Sequence, residues 1–210
     1  MSGKNITGCE SLGEPVDPRV RRTRNLLRDA LRSLMREKRF SSISVQEIAA
    51  RATVNRATFY AHYTDKEELA RSALTTDLRK ALMSRFTEKP PLTHENLLEL
   101  ALGVFDFVGS MNDACPETTA ELQETVGTAV QQGIYEVLEM WLADGAGYAR
   151  LFPGSRRETV ATVLSWSLYG GAHRWSRSQP RTPALRVCQE IISMLLPQSD
   201  GAMRMMPPPK

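Results

Sequence analysis

The chain is poor in cysteine, and the three it has stand too far apart for shared chemistry. Cys9, Cys115 and Cys188 form no C-x-x-C pair and no Cys/His spacing suited to zinc or redox work. That usage fits a reducing, cytoplasmic setting. His62, His94 and His173 are equally scattered, and no serine–base pair accompanies them. Neither a metal site, a catalytic constellation nor a cofactor is therefore expected, and a helical enzyme is the remote alternative. No window approaches the roughly 18 uncharged apolar residues of a membrane helix. The opening MSGKNITGCE lacks the apolar run of a signal peptide. Strict apolar–polar alternation is missing too, which argues against strands. No internal repeat is visible.

Acidic residues are scarce at one end. Between Arg19 and Lys66, twelve basic residues face four acidic ones, a local charge of +8 in a chain whose total is +3. The remainder is thus net negative. A basic end on an otherwise acidic molecule fits a nucleic-acid footprint or a solvated helix face. With 210 residues, 41% of them hydrophobic, the chain can bury a real core in one medium or two small domains.

What is present is helical punctuation. Asp17-Pro18 supplies a cap and a first-turn proline. Val20, Leu27, Leu31, Leu34 and Met35 then share one face, with a stripe of arginines (Arg21, Arg24, Arg28, Arg32, Arg36, Arg39) elsewhere on the helix. Three capping boxes are predicted: Ser44–Glu47, Thr64–Glu67 and Ser155–Glu158. Asn55 caps a short helix. Thr93 opens another apolar helix, and a long one runs from near Glu117 to Ala143. Residues 144–154, with three glycines and Pro153, read as a loop. Ser155 onward places Val160, Val163, Leu164, Ser167, Leu168, Gly171 and Trp175 on one side. Thr182-Pro183 begins a last helix with Val187, Cys188, Ile191 and Leu195 inward. The fold class is all-α. The expected division is a flexible tail at 1–16, a first helical domain at 17–70, a second at 71–198, and a tail at 199–210.

The segment Ser44–Tyr63, SVQEIAARATVNRATFYAHY, holds two short helices with a tight break between them. Ala49, Ala52, Val54 and Phe59 can form a small interhelical core, with Ala49 small because the helices cross closely. That is the pattern of a helix-turn-helix. Its second helix exposes Asn55, Arg56, Ala57, Thr58, Tyr60 and Ala61, a surface suited to a major groove. Ile48-Ala49, Ala52, Val54, Thr58-Phe59-Tyr60, His62-Tyr63, Lys66 and Leu69 resemble, at fixed spacing, the N-terminal signature of the TetR (tetracycline repressor) family. Beyond about residue 75 the resemblance is only of length and helicity. Thr53 stands where that family usually has glycine. Either the turn keeps a negative φ or a β-branched residue bears some strain.

The resemblance implies a dimeric transcriptional regulator of a palindromic operator, released by a small molecule, with DNA contacts at Ser44, Gln46, Asn55, Arg56, Ala57, Thr58, Tyr60, His62 and Lys66. Ser44 can meet phosphate or only cap its helix. Arg56 can read guanine bidentately or clamp phosphate. Tyr60 can touch the duplex or hold the recognition helix. Lys66, set against its helix dipole, is easier to understand beside a phosphate. Arg19, Arg21 and Arg22 can reach the duplex backbone or sit in solvent. The family's dimers pair through the last two helices, for which Val163, Ser167, Gly170, Gly171, Trp175, Val187, Ile191 and Leu195 are the candidates; an intramolecular core is the alternative. Pairing would space two recognition helices roughly 34–36 Å apart. An apolar or aromatic effector would lie among Phe105, Phe107, Met111, Trp141, Trp166, Tyr169 and His173, residues that at helical spacing can equally be core. A regulator without an inducer, governed by a partner protein or acting as an activator, remains open.

Overall fold

The computed structural model describes residues 17–86, 90–114, 121–143 and 145–196. The two expected tails, Cys9, Cys115 and the expected helix start near Glu117 lie outside them. The described residues are helical, without strands, as the all-α expectation had it. The helices are α1 (Pro18–Met35), α2 (Val45–Arg51), α3 (Arg56–Tyr60), α4 (Lys66–Met83), α5 (His94–Ala114), α6 (Gln123–Leu142), α7 (Gly145–Leu151), α8 (Arg157–Ser176) and α9 (Ala184–Leu195), with a 3-10 turn at Phe40–Ser42. No helix among them is long and apolar enough to cross a membrane. The chain divides into two compact units, 1–69 and 70–210, and the boundary falls inside α4.

In the first unit, α1 starts as its sequence demands: Asp17 Oδ1 accepts from the Arg19 amide at 2.8 Å, and Pro18 occupies the first turn. Leu27, Ala30, Leu31 and Leu34 are buried. One arginine of the supposed solvent stripe is buried with them: Arg28 retains little exposure. The Ser44 box forms as expected. The Glu47 amide donates to Ser44 Oγ, and the Ser44 amide donates to Glu47 Oε2 at 3.0 Å.

The other two boxes do not form as written. At α4 the register moves by one residue. Asp65 Oδ1 accepts from the Glu68 amide, and Glu68, not Glu67, reaches back to the Thr64 amide at 2.6 Å. Asp65 wins because its short carboxylate reaches the third amide of the helix from the capping position. At α8 the cap residue is Arg156, with no side-chain capping bond.

In the second unit, α8 is the central helix and packs on α5, α6 and α9. Leu78, Leu97, Phe105, Ile134, Trp141, Leu164, Leu168 and Ile192 build the core. Thr75 Oγ1 donates to the Ala129 carbonyl, tying α4 to α6 at 3.1 Å. The segment read as a loop contains a helix, α7. Its glycine is there for proximity: a Cβ on Gly147 would sit 2.8 Å from the Leu92 carbonyl oxygen.

Candidate functional site

The two-helix motif is held from inside by Phe59. Its ring has 0% exposure, among buried Ile48, Ala49 and Ala52. Burial of a phenyl ring of this kind stabilises by roughly 1.5–3 kcal/mol. The inter-helix turn passes through Thr53 at φ 55°, so the strained alternative is the one realised. Thr53 Oγ1 donates to the Ala52 carbonyl at 2.7 Å, which offsets part of that cost.

From this core α3 projects outward. Asn55 Oδ1 accepts from the Ala57 amide at 2.9 Å and so caps α3. Arg56 and Ala57 are exposed, Thr58 is half-buried, and Tyr60 is 48% exposed. The Tyr60 ring rests edge-on against Phe59, with centroids 5.4 Å apart at 82°. Arg56 lies over that ring, 5.5 Å from its centroid, and donates to Tyr60 Oη at 3.2 Å. Tyr60 is thus both braced by the core and presented to solvent. Its hydroxyl accepts from Arg56 and can still donate outward.

Several expected contacts prove more complicated. Ser44 Oγ is engaged twice within the capping box, while Gln46 is exposed at the start of α2. His62 is half-buried, and burial, then the charge of Arg24, lowers its pKa. Near neutral pH it offers a neutral N–H, not a cation. Lys66 does not face outward as a phosphate ligand. Its ammonium donates to the carbonyls of Phe40, Ser41 and Ile43 at 2.9, 3.1 and 2.9 Å and lies 4.6 Å from the Phe40 ring centroid. Those three bonds use every donor an ammonium has. The missing partner in the dipole argument is therefore a cluster of loop carbonyls.

Other charges of the basic end are paired internally as well. Arg51 forks onto Glu37 at 2.7 and 2.9 Å and also donates to Ser33. Lys38 meets Glu47 at 2.5 Å. The Lys38 bond, followed by the two Ser44 bonds, holds the Glu47 carboxyl at a pKa of about 2.

The second unit sorts its expected site residues into three places. Phe105 and Trp141 are wholly buried, with Phe105 against Trp175 and Trp141 against Phe86, so both serve the core. Phe107 is half-buried. Met111, Tyr169 and His173 do come together. With Val108, Val126 and Arg177 they line a cavity of about 10 Å³ among α5, α6 and α8. Arg177 was missed because it lies one residue beyond the helix end, where a lone arginine reads as solvated. Trp166, expected beside them, is 55% exposed: its ring meets the Tyr169 ring edge-on at 6.3 Å but does not line the cavity. The two positions are neighbours on one side of the helix, so periodicity could not choose between them.

The residues expected at a pairing face also divide. Val163 is open, at 47% exposure, and so is Gly170, where an added Cβ would meet nothing within 4 Å. Gly171 packs on Ile191 within the chain, and Trp175 is held internally by Phe105 and by its Nε1 bond to the Thr182 carbonyl. Ser167, Val187 and Leu195 are half-buried. No group of three or more metal-ligating side chains occurs among the described residues.

A capped, exposed second helix on a two-helix core places the chain in the helix-turn-helix class. Residues 27–73 match the family described as bacterial regulatory proteins, tetR family. An HTH-type transcriptional regulator of Bacillus subtilis, YxbF, itself uncharacterised, is 36% identical over 75 residues, or 35% of this chain. The chain spans about a fifth of that relative's length, 20%. Among solved structures, the TetR family repressor AlkX of Dietzia superposes with a TM-score of 0.57 at 17% identity, over 87% of this chain and 97% of that one. FadR of Bacillus subtilis, in complex with stearoyl-CoA, gives 0.52 at 14% identity over 82% and 97%. FadR of Thermus thermophilus, in complex with lauroyl-CoA, gives 0.51 at 20% over 89% and 100%. These structures share the fold. The similarity to the tetR family of bacterial regulatory proteins is thus confined in sequence to residues 27–73, and in fold it extends over most of the chain.

Proposed function

We propose that this chain is a sequence-specific transcriptional regulator, a repressor that binds a palindromic operator as a homodimer and leaves it when a small molecule enters the second unit. The observation that carries the DNA reading is α3 itself: a ring at 0% exposure anchors it, while Arg56 and Tyr60 stand exposed and stacked on its outer side. In this reading Arg56 addresses a guanine edge and Tyr60 donates its free O–H to the duplex. Thr58, Ala57 and the amide of Asn55 lie at the groove, and Ser44, Gln46 and His62 meet phosphate. Lys66 braces the loop before α2 and does not touch DNA.

Pairing is supported by an apolar stripe on the outer side of α8. Val163, Trp166, Ser167 and Gly170 fall on one helical face. Next to it, through the Gly171–Ile191 contact, runs the α9 stripe of Val187, Ile191 and Met194, the last 76% exposed. Trp166 thereby moves from the expected cavity to the expected interface.

The smallness of the cavity favours a second reading, a regulator answering to a protein partner instead of a small molecule. Titration with octanoate and its uncharged counterpart, 1-octanol, separates the two.

The test of the DNA reading is a gel shift with the duplex upstream of the gene. The wild-type protein should shift it. Arg56→Ala and Tyr60→Ala should each weaken the shift by roughly ten- to a hundredfold, as for loss of a good base contact, with circular dichroism unchanged. Equal shifts by both variants and wild type would remove α3 from the duplex. Trp166→Asp should sediment as a monomer; a dimer unaffected by that charge would place the interface elsewhere.

A further inference from the structure

The cavity in the second unit has a chemical polarity that an apolar or aromatic effector would not use. Tyr169, His173 and Arg177 follow one another at four-residue spacing, so they form a single ladder along α8 and the residue that ends it. The Tyr169 and His173 rings lie 5.7 Å apart at 35°. Neither the Tyr169 hydroxyl nor the His173 imidazole has a hydrogen-bond partner among the described residues, and Arg177 has no acidic partner there. No carboxylate lines the cavity. Opposite the ladder, Val108 and Met111 from α5 and Val126 from α6 form an apolar patch, flanked by the uncharged amides of Asn112 and Gln123.

The ladder is held in place by close packing. A Cβ on Gly127 would lie 2.8 Å from Tyr169 Oη, so α6 carries a glycine where the tyrosine tip passes. Burial, and then the charge of Arg177, lowers the His173 pKa, so Arg177 projects positive potential onto the imidazole at the cavity.

We infer that this cavity takes an amphiphile with one anionic head, a carboxylate or sulfate, held by Tyr169, His173 and Arg177, and an apolar body laid against Val108, Met111 and Val126. This rests on the reading that the second unit senses a small molecule, and it specifies the class. A volume of about 10 Å³ has room for one water molecule. Entry therefore requires an opened conformer, and the ligand selects it. Met111, unbranched and adaptable, and Arg177, exposed at the mouth, are the side chains able to move aside. Charge-assisted hydrogen bonds to the head then distinguish an anion from a neutral compound of equal length.

The experiment is calorimetric titration of the full chain with four probes of one tail length: octanoate, octyl sulfate, 1-octanol and octylamine. Both anions should bind roughly tenfold or more tighter than 1-octanol, with octylamine weakest. Arg177→Gln, a surface change, should weaken the anions by roughly tenfold and leave 1-octanol within about twofold. Tyr169→Phe should act in the same direction to a smaller extent. Octanol or octylamine matching the anions, an equal loss for all probes in Arg177→Gln, or silence from all four would overturn the inference. The upstream-DNA gel shift on the same preparation keeps the two ideas apart. A protein that shifts DNA but ignores the anions leaves the regulator standing without this site. One that binds the anions and shifts no DNA keeps the site and loses the regulator.

Discussion

In the first unit the side-chain bonds that shape the two-helix motif are short in sequence. Asn55 caps the amide two residues on, Ser44 and Glu47 are three apart, and Arg56 reaches Tyr60 at four. In the second unit the defining bonds are long. Gln131 donates to Ser165 across 34 residues, Asn112 to the Ser176 carbonyl across 64, and Arg181 to Asp113 across 68. A contact of three residues can be read from neighbours along the chain. A contact of 68 residues exists only once the helices are packed. The helix-turn-helix motif is written locally; the cavity and the outer face of α8 are products of tertiary packing.

The comparison can be broken most sharply at Phe59, the residue through which the local motif becomes a packed one. Phe59→Ala should cost about 3–5 kcal/mol, comparable with the whole stability of a small unit. Limited proteolysis should then cut within 17–69 while fragments of the second unit persist. Uniform loss of both units would show that they do not fold separately.

A smaller effect sharpens the same contrast from the strained turn. Thr53 adopts φ 55°, a region glycine enters freely. Thr53→Gly should stabilise the first unit by about 1 kcal/mol, relief of strain outweighing the added freedom of the unfolded chain. Urea unfolding would register it as a higher midpoint. A lower one would mean that the Oγ1 bond to Ala52 outweighs the strain.

The smallest effect concerns pH. The Glu47 carboxyl is lowered from 4.5 to about 2 by Lys38 and Ser44. A lowered carboxyl contributes stability that is present above its unfolded pKa and lost as pH falls through its folded one. The stability difference between wild type and Glu47→Gln should therefore shrink as pH drops from about 4.5 to about 2, the range set by those two values. A difference independent of pH would mean that Glu47 acts by shape alone.

Local writing explains which features were legible in the chain. The α1 cap, the Ser44 box, the Asn55 cap and the buried Ile48–Phe59 core all depend on neighbours within a few turns. Lys66 escaped, because its carbonyl partners lie 23 to 26 residues back in a loop. The helix α7 escaped as well. Its glycines signal a break along the chain, and only the backbone at Leu92 shows that Gly147 serves a close approach. On α8, Trp166 and Tyr169 stand three residues apart on one side, so spacing left both eligible for the cavity, and packing against α5 and α6 decided between them. Tyr169 and His173 were legible as neighbours because helical spacing sets them one turn apart, while Met111 joins them from α5 only through packing and Arg177 was not foreseen.

The central claim is that α3 enters the wide groove with Arg56 on a base edge, and guanine N7 methylation interference tests it most directly. A duplex selected from a random pool by the full chain should lose binding when one guanine per half-site is methylated at N7, because that atom accepts from Arg56 in the major groove. The same guanine should cease to matter in Arg56→Ala. Interference absent from every guanine, or identical in the variant, would contradict the account.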